Sequence, residues 1–219
     1  MPLIYTQEPL PSPSSGKAVP SCITVFIGGF GDWLTGAFFK TMQRVSFPEN
    51  PETEWRAYYH WDGGSLGMLH DGCSRILHDL SACAERHPDA SLLLCGHSYG
   101  ASAAMHILRQ LPFRRDNVLL LTLDAVSRRQ PSHRAGGIRH WINCHLTGPF
   151  TPIDTIPRIG GRWGHCGDAD LNLAFDSSAI ASDGHRYAHN RPLPFLTDAT
   201  HGSPGALAAM QEIVRSLPV

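Results

Sequence analysis

Two runs near the middle of the chain, SLLLC at 91–95 and VLLLTL at 118–123, are apolar almost throughout. A strand with one face in water alternates apolar and polar residues, so runs like these belong to strands covered on both faces. Stretches of helical spacing lie around them. Over 65–86, Leu66, Leu69, Cys73, Ile76, Leu77, Leu80 and Cys83 recur at steps of three and four, and Pro88 ends the run. Residues 33–45, 99–111 and 205–217 (GALAAMQEIVRSL) read as further helices. Residues 23–27 (ITVFI, ended by GGFGD) and 55–61 (WRAYYHW, closed by DGG) read as strands, with weaker candidates at 138–146 and 171–175. The alternation predicts an α/β fold, a mostly parallel central sheet with helices on both faces. The 219 residues suit one domain over 21–219, preceded by a polar, proline-rich arm at 1–20 that is extended or poorly ordered. In such a sheet ligands bind beyond the carboxyl ends of the strands, so the chemistry is expected just after these runs.

Composition removes several classes of function. Lys and Arg total 18 against 19 Asp and Glu, a formal net charge of −1 that lacks the basic excess of a nucleic-acid binder. No stretch approaches the roughly 20 apolar residues needed to cross a bilayer. The opening residues have neither a basic nor an apolar signal region, which predicts cytoplasmic synthesis, no stable membrane insertion and, if the protein is exported, a signal-independent route. Cys22, Cys73, Cys83, Cys95, Cys144 and Cys166 form no C-x-x-C pair and read as buried free thiols. The run HCGDAD at 165–170 matches no recurrent zinc or calcium spacing and reads as a solvated loop. No metal and no cofactor are expected.

The strand SLLLC runs into Gly96-His97-Ser98-Tyr99-Gly100-Ala101, a G-x-S-x-G pattern. A strand that reverses sharply into a helix has no room for Cβ atoms beside the turn, and the serine at its apex stands exposed above the sheet. The N-terminus of the following helix favours a developing anion there. Ser98 is therefore the candidate nucleophile.

Through GHSYGA on a strand, elbow and helix, residues 22–217 resemble the α/β-hydrolase superfamily. VFIGGFGD, LTLDAV and the run WINCHL followed by GGRWG are similar to small bacterial lipases and to the lipase-type antibacterial effectors of contact-dependent secretion systems. The resemblance implies the chain order Ser, Asp or Glu, His. Asp124, closing VLLLTL, emerges on the same edge as Ser98 and is the preferred acid, with Asp154 and Asp176 as fallbacks. Thirteen histidines crowd the choice of base. His201, just before the closing helix, is preferred; His189 and His185 are the alternatives. His97 reads as structural or substrate-lining. The oxyanion hole is expected from the backbone N–H of Tyr99 and from Gly29 and Phe30 in GGFGD, a loop that lacks the lysine of a phosphate-binding P-loop. The aromatics Phe30, Trp33, Phe38 and Phe39 suit an acyl pocket or core packing equally.

The expected activity is cofactor-free hydrolysis of carboxylic esters through an acyl-enzyme, and the resemblance implies a lipid or other acyl ester as substrate. A thioesterase or acyltransferase with the same triad, and a non-catalytic scaffold used for binding, are the rival readings. Residues 147–200 are long enough for a lid or substrate loop. The effector resemblance implies an inhibitory (immunity) protein as partner.

Overall fold

Six strands make one sheet in which every pairing is parallel. They are β1 (Cys22–Gly28), β2 (Glu54–His60), β3 (Ser91–His97), β4 (Val118–Leu123), β5 (Ile138–Thr147) and β6 (Leu171–Asp176), in the order β2-β1-β3-β4-β5-β6. The computed structural model describes residues 9–11, 18–60, 71–111, 116–131, 133–150, 154–200 and 202–217. The expected parallel α/β architecture is the observed one. The apolar runs are apolar because β3 and β4 lie inside the sheet and are buried along their whole length. The weaker candidate at 171–175 is the edge strand β6, where burial is partial.

Helices cover both faces. On one side α3 (Asp71–Arg86) and α4 (Tyr99–Gln110) place Ile76, Leu80, Ala104 and Ile107 against Ile23, Val25, Leu92 and Leu94. On the other side α2 (Ala37–Met42), α6 (Pro192–Thr197) and α7 (Ala206–Ser216) place Phe38, Phe195 and Met210 against Phe26, Leu93 and Cys95. Successive residues of β1 and β3 thus serve opposite cores, as the two-residue period of a strand requires. Truncating a residue such as Leu94, buried in one of these layers, costs about 2–5 kcal/mol.

The helix expected over 33–45 is broken. Gly36 takes φ 58° and separates α1 (Asp32–Thr35) from α2. The carboxylate of Asp32 accepts the Phe38 N–H at 2.9 Å across that break and also accepts the Tyr58 hydroxyl, which ties the start of α2 to the sheet. Residues 147–200 contain α5 (Thr155–Gly160), β6 and α6, with 151–153 outside the described residues. The arm at 1–20 lies largely outside them too. All six cysteines are buried, and burial pushes the Cys22 thiol up to about 12.

The strand order positions a site. From β1 the chain crosses to β2 on one side, and the next strand, β3, lies on the other side of β1. The crevice outside the carboxyl ends of β1 and β3 is the switch point where open α/β sheets bind ligands. Ser98 follows β3 there, and Gly29 follows β1.

Candidate active site

Ser98 stands at the turn from β3 into α4 with φ 58° and ψ −130°. The other described non-glycine residue with positive φ is Asp124, at φ 39°. Such backbone costs of order 1–3 kcal/mol per residue and persists only where the surroundings enforce it. At Ser98 the enforcement is visible. Its N–H donates to the Leu123 carbonyl at 3.0 Å, and its own carbonyl accepts Val126 N–H at 3.1 Å. The flanking glycine is required by contact, since a Cβ on Gly100 would run into the Ile27 carbonyl of β1.

His189 joins the two strained residues. Its Nε2 lies 2.9 Å from Ser98 Oγ and its Nδ1 lies 2.6 Å from Asp124 Oδ2. With Nδ1 protonated toward the carboxylate, Nε2 is left to accept the serine proton. All three residues are buried. His97 holds the arrangement from the side: its Nε2–H donates to the His189 carbonyl at 2.7 Å and its ring lies 4.9 Å from the His189 ring. Burial and the neighbouring His189 lower the His97 pKa to about 3, so that ring is neutral.

Asp124 is fixed on its other oxygen. Oδ1 accepts the Leu146 N–H at 3.1 Å and lies 3.2 Å from Arg162 Nε. Burial alone would push this carboxyl up. The hydrogen bond and charge of His189, the Arg162 guanidinium and the Leu146 N–H together outweigh burial and hold it below the usual carboxylate range. Arg162 also reaches Asp154, with Nη2 3.2 Å from Oδ1, and its guanidinium carbon sits 4.6 Å from the centre of the Phe150 ring.

The loop after β1 closes against the serine. A Cβ on Gly29 would run into Ser98 Cβ, so only glycine lets this backbone approach so closely. Tyr99 opens α4, and Phe30 is exposed beside Gly29.

Of the candidate acids, Asp124 is the one that His189 contacts. Asp154 is buried against Arg162, and Asp176 is exposed and accepts from Ser178 instead. The histidine between Ser98 and Asp124 is His189, which the sequence ranked behind His201. That preference is corrected by geometry: both ring nitrogens of His189 are already at the serine and the carboxylate. His201 lies outside the described residues. His185 is exposed on the turn where the Ala181 N–H donates to its carbonyl. Phe38 packs in the core against Phe26 and the His97 ring, Phe39 lies against Tyr58, and the side chain of Trp33 is outside the described residues. In the 165–170 loop, Asp168 accepts the Arg134 N–H and Asp170 pairs with the Arg134 guanidinium. Among the described residues no group of His, Cys, Asp and Glu is placed to hold a metal ion, and no helix is long and apolar enough to cross a membrane. Sequence reasoning missed Arg162, whose one signal is the glycine pair before it in GGRWG.

The chain is similar to solved α/β-hydrolase structures. One is a protein of the α/β hydrolase superfamily from Xanthomonas campestris pv. campestris, 19% identical over 90% of this chain and 99% of the other, with a TM-score of 0.46. A second, described as an α/β serine hydrolase without a lid from Xanthomonas campestris, is 15% identical over 96% and 88% of the two chains, with a TM-score of 0.44. A soluble variant of monoglyceride lipase from Saccharomyces cerevisiae, bound to a substrate analogue, is 11% identical over 97% and 91%, with a TM-score of 0.48. No family model and no curated protein sequence matches the chain.

Proposed function

We propose that this protein is a serine hydrolase of carboxylic esters, with Ser98 as nucleophile, His189 as general base and Asp124 as the carboxylate that orients it. The observation that carries the reading is the pair of hydrogen bonds of 2.9 and 2.6 Å that His189 makes to Ser98 Oγ and Asp124 Oδ2. A serine hydroxyl is a weak nucleophile until a base takes its proton, and the base needs a third group to hold its tautomer. Ser98 Oγ attacks the ester carbonyl as its proton passes to His189 Nε2. The tetrahedral oxyanion is met by the Tyr99 amide and by an amide of the Gly29–Phe30 loop. Nε2–H then protonates the departing alcohol, and water, activated by the same nitrogen, releases the acid from Ser98.

Exposed apolar side chains on segments that follow the carboxyl ends of strands support an acyl substrate. Phe30, Leu34, Phe150, Ile159 and Ile180 are exposed, and each lies on a segment that follows the carboxyl end of a strand. Labelling with a fluorophosphonate, followed by peptide mass spectrometry, tests the nucleophile. The expected result is one adduct, on Ser98, lost in His189→Ala and retained in His201→Ala. Turnover of matched oxygen-ester and thioester series then assigns the acyl group, with oxygen esters expected to be faster. An unlabelled Ser98 in folded protein would leave the non-catalytic scaffold as the answer.

A further inference from the structure

We infer that Arg162 and Asp154 are positioning residues of the reaction: Arg162 clamps Asp124, and Asp154 cancels the charge of the clamp so that Asp124 keeps its full negative charge for the His189 imidazolium. The inference rests on the hydrolase reading above and adds two residues to it.

The clamp is built by the backbone. Residue 162 bridges antiparallel to Val126, just beyond Asp124, with Ser127 N–H on the Gly161 carbonyl and Trp163 N–H on the Ala125 carbonyl, both at 2.8 Å. Trp163 Nε1–H adds a bond to Ser127 Oγ at 2.8 Å, and the Phe150 ring covers the guanidinium. Arg162 is therefore held where it is by the same turn that carries Asp124.

The side chains of Asp124, Arg162 and Asp154 are 0%, 8% and 1% exposed, so water screens none of them. The Arg162 nitrogens that face the two carboxylates are not aligned as hydrogen-bond donors, so the guanidinium acts on them as a charge. Asp154 begins α5 yet its carboxylate makes no capping bond to that helix.

The charge count then decides what Asp154 does. A buried Asp124–Arg162 pair alone is neutral, and the Arg162 charge offsets part of the attraction of Asp124 for an imidazolium. Adding Asp154 gives −1 over Asp124, Arg162 and Asp154, and zero over those three and His189 when His189 takes the serine proton, the balancing negative charge forming on the substrate oxyanion at the Tyr99 amide. Without Asp154 the cluster of Asp124, Arg162 and His189 would carry +1 away from water in the same step. Among the described residues, Arg158 on α5 also faces the Phe150 ring, 5.9 Å from its centre, and its charge is common to every variant compared below. His97 on β3, and Cys144 and His145 on β5, are all kept neutral by burial, and His165 lies further out, acting on His145.

The test is the pH dependence of fluorophosphonate labelling at Ser98, whose acid limb reports loss of the His189 proton. In Asp154→Asn the uncompensated guanidinium disfavours the imidazolium, so the midpoint of the limb moves down by about one pH unit and the plateau rate falls about tenfold. The double variant Asp154→Asn with Arg162→Gln restores the net charge and returns the midpoint to the wild-type value. Asp154→Glu, which keeps the charge, leaves it unmoved. Loss of a merely structural contact would not be repaired by removing its partner. Asp154→Ser, a residue suited to a helix start, replaces the Asn variant if that one does not fold. A midpoint that stays put in the neutral single variant, or that the double variant does not restore, overturns the inference while leaving the hydrolase reading intact. Wild-type protein that takes no label at Ser98 overturns both.

Discussion

Two carboxylates are buried at opposite ends of the same sheet, and their surroundings differ in kind. Glu54, at the amino end of β2, accepts Thr24 Oγ1–H at 2.6 Å, Ser46 Oγ–H at 2.9 Å and Arg56 Nε–H at 2.6 Å. Asp124, at the carboxyl end of β4, accepts a backbone N–H and His189 Nδ1–H beside Arg162. Hydroxyl and guanidinium donors keep their protons throughout the ordinary pH range, so the Glu54 cluster has one state. An imidazole nitrogen can take up a proton and give it back, so the Asp124 cluster has two. The backbone repeats the contrast: Glu54 sits in extended geometry at φ −97°, and Asp124 is held at φ 39°. A buried carboxylate that accepts hydrogen bonds is common to both ends. A donor that can be exchanged and a strained backbone belong to one, and that is where Ser98 stands.

Replacing each cluster's centre should separate the two most widely. Asp124→Asn, which offers His189 the wrong hydrogen-bond partner, and His189→Ala are each expected to lower ester turnover by about 10⁴-fold with the fold retained. His201→Ala should leave turnover near wild type. A full loss of turnover in His201→Ala, with His189→Ala active, would break the assignment of the base. The measurement is kcat/KM beside a thermal melt for each variant.

Next in size is the close approach of the loop after β1. Gly29→Ala places a Cβ against Ser98, so the loop or the serine must shift, and a displacement of that order costs about 10²-fold in kcat. Unchanged kcat in this variant would remove the loop from the oxyanion site.

At the other end the effect should appear in stability. Glu54→Ala leaves the Thr24 hydroxyl buried without its acceptor and Arg56 without its counter-ion, a loss of about 2–3 kcal/mol in chemical denaturation. Turnover of the remaining folded protein should stay within about twofold of wild type. A large drop in kcat here would erase the distinction between the two carboxylates.

How much of this was legible beforehand follows from how local each signal is. The strands at 91–97 and 118–123 announce themselves because a strand buried on both faces can hold little that is polar. The elbow around Ser98 is equally local, since strand, turn and helix are consecutive. Asp124 is readable as a charge that ends an apolar run. His189 and His201 are a different case: both follow the acid, and which one reaches it depends on how the segment through β6 packs, which spacing does not encode. Arg162 is further from view. It lies on no periodic element, and its partners Asp124 and Asp154 meet it through a bridge to Val126 that only the folded chain creates. Gly36 could have been read as the break between α1 and α2, but the apolar spacing across it hides the positive φ.

The smallest expected effect is the pH dependence of stability that the Asp124 cluster imposes. Its carboxyl is held below the usual carboxylate range, so the folded state favours the ionised form. That contribution is fully present above the unfolded value of about pH 4 and is lost as the pH falls through the lower folded value. Asn at the same position has no such dependence, while every other carboxylate is common to both proteins. The stability gap between wild type and Asp124→Asn is therefore expected to shift against the wild type as the pH falls below about 4. Urea denaturation of both proteins at matched pH values measures it. A gap that moves the other way would mean that the protonated carboxyl is the favoured form, and His189 would then lack the anion that orients it.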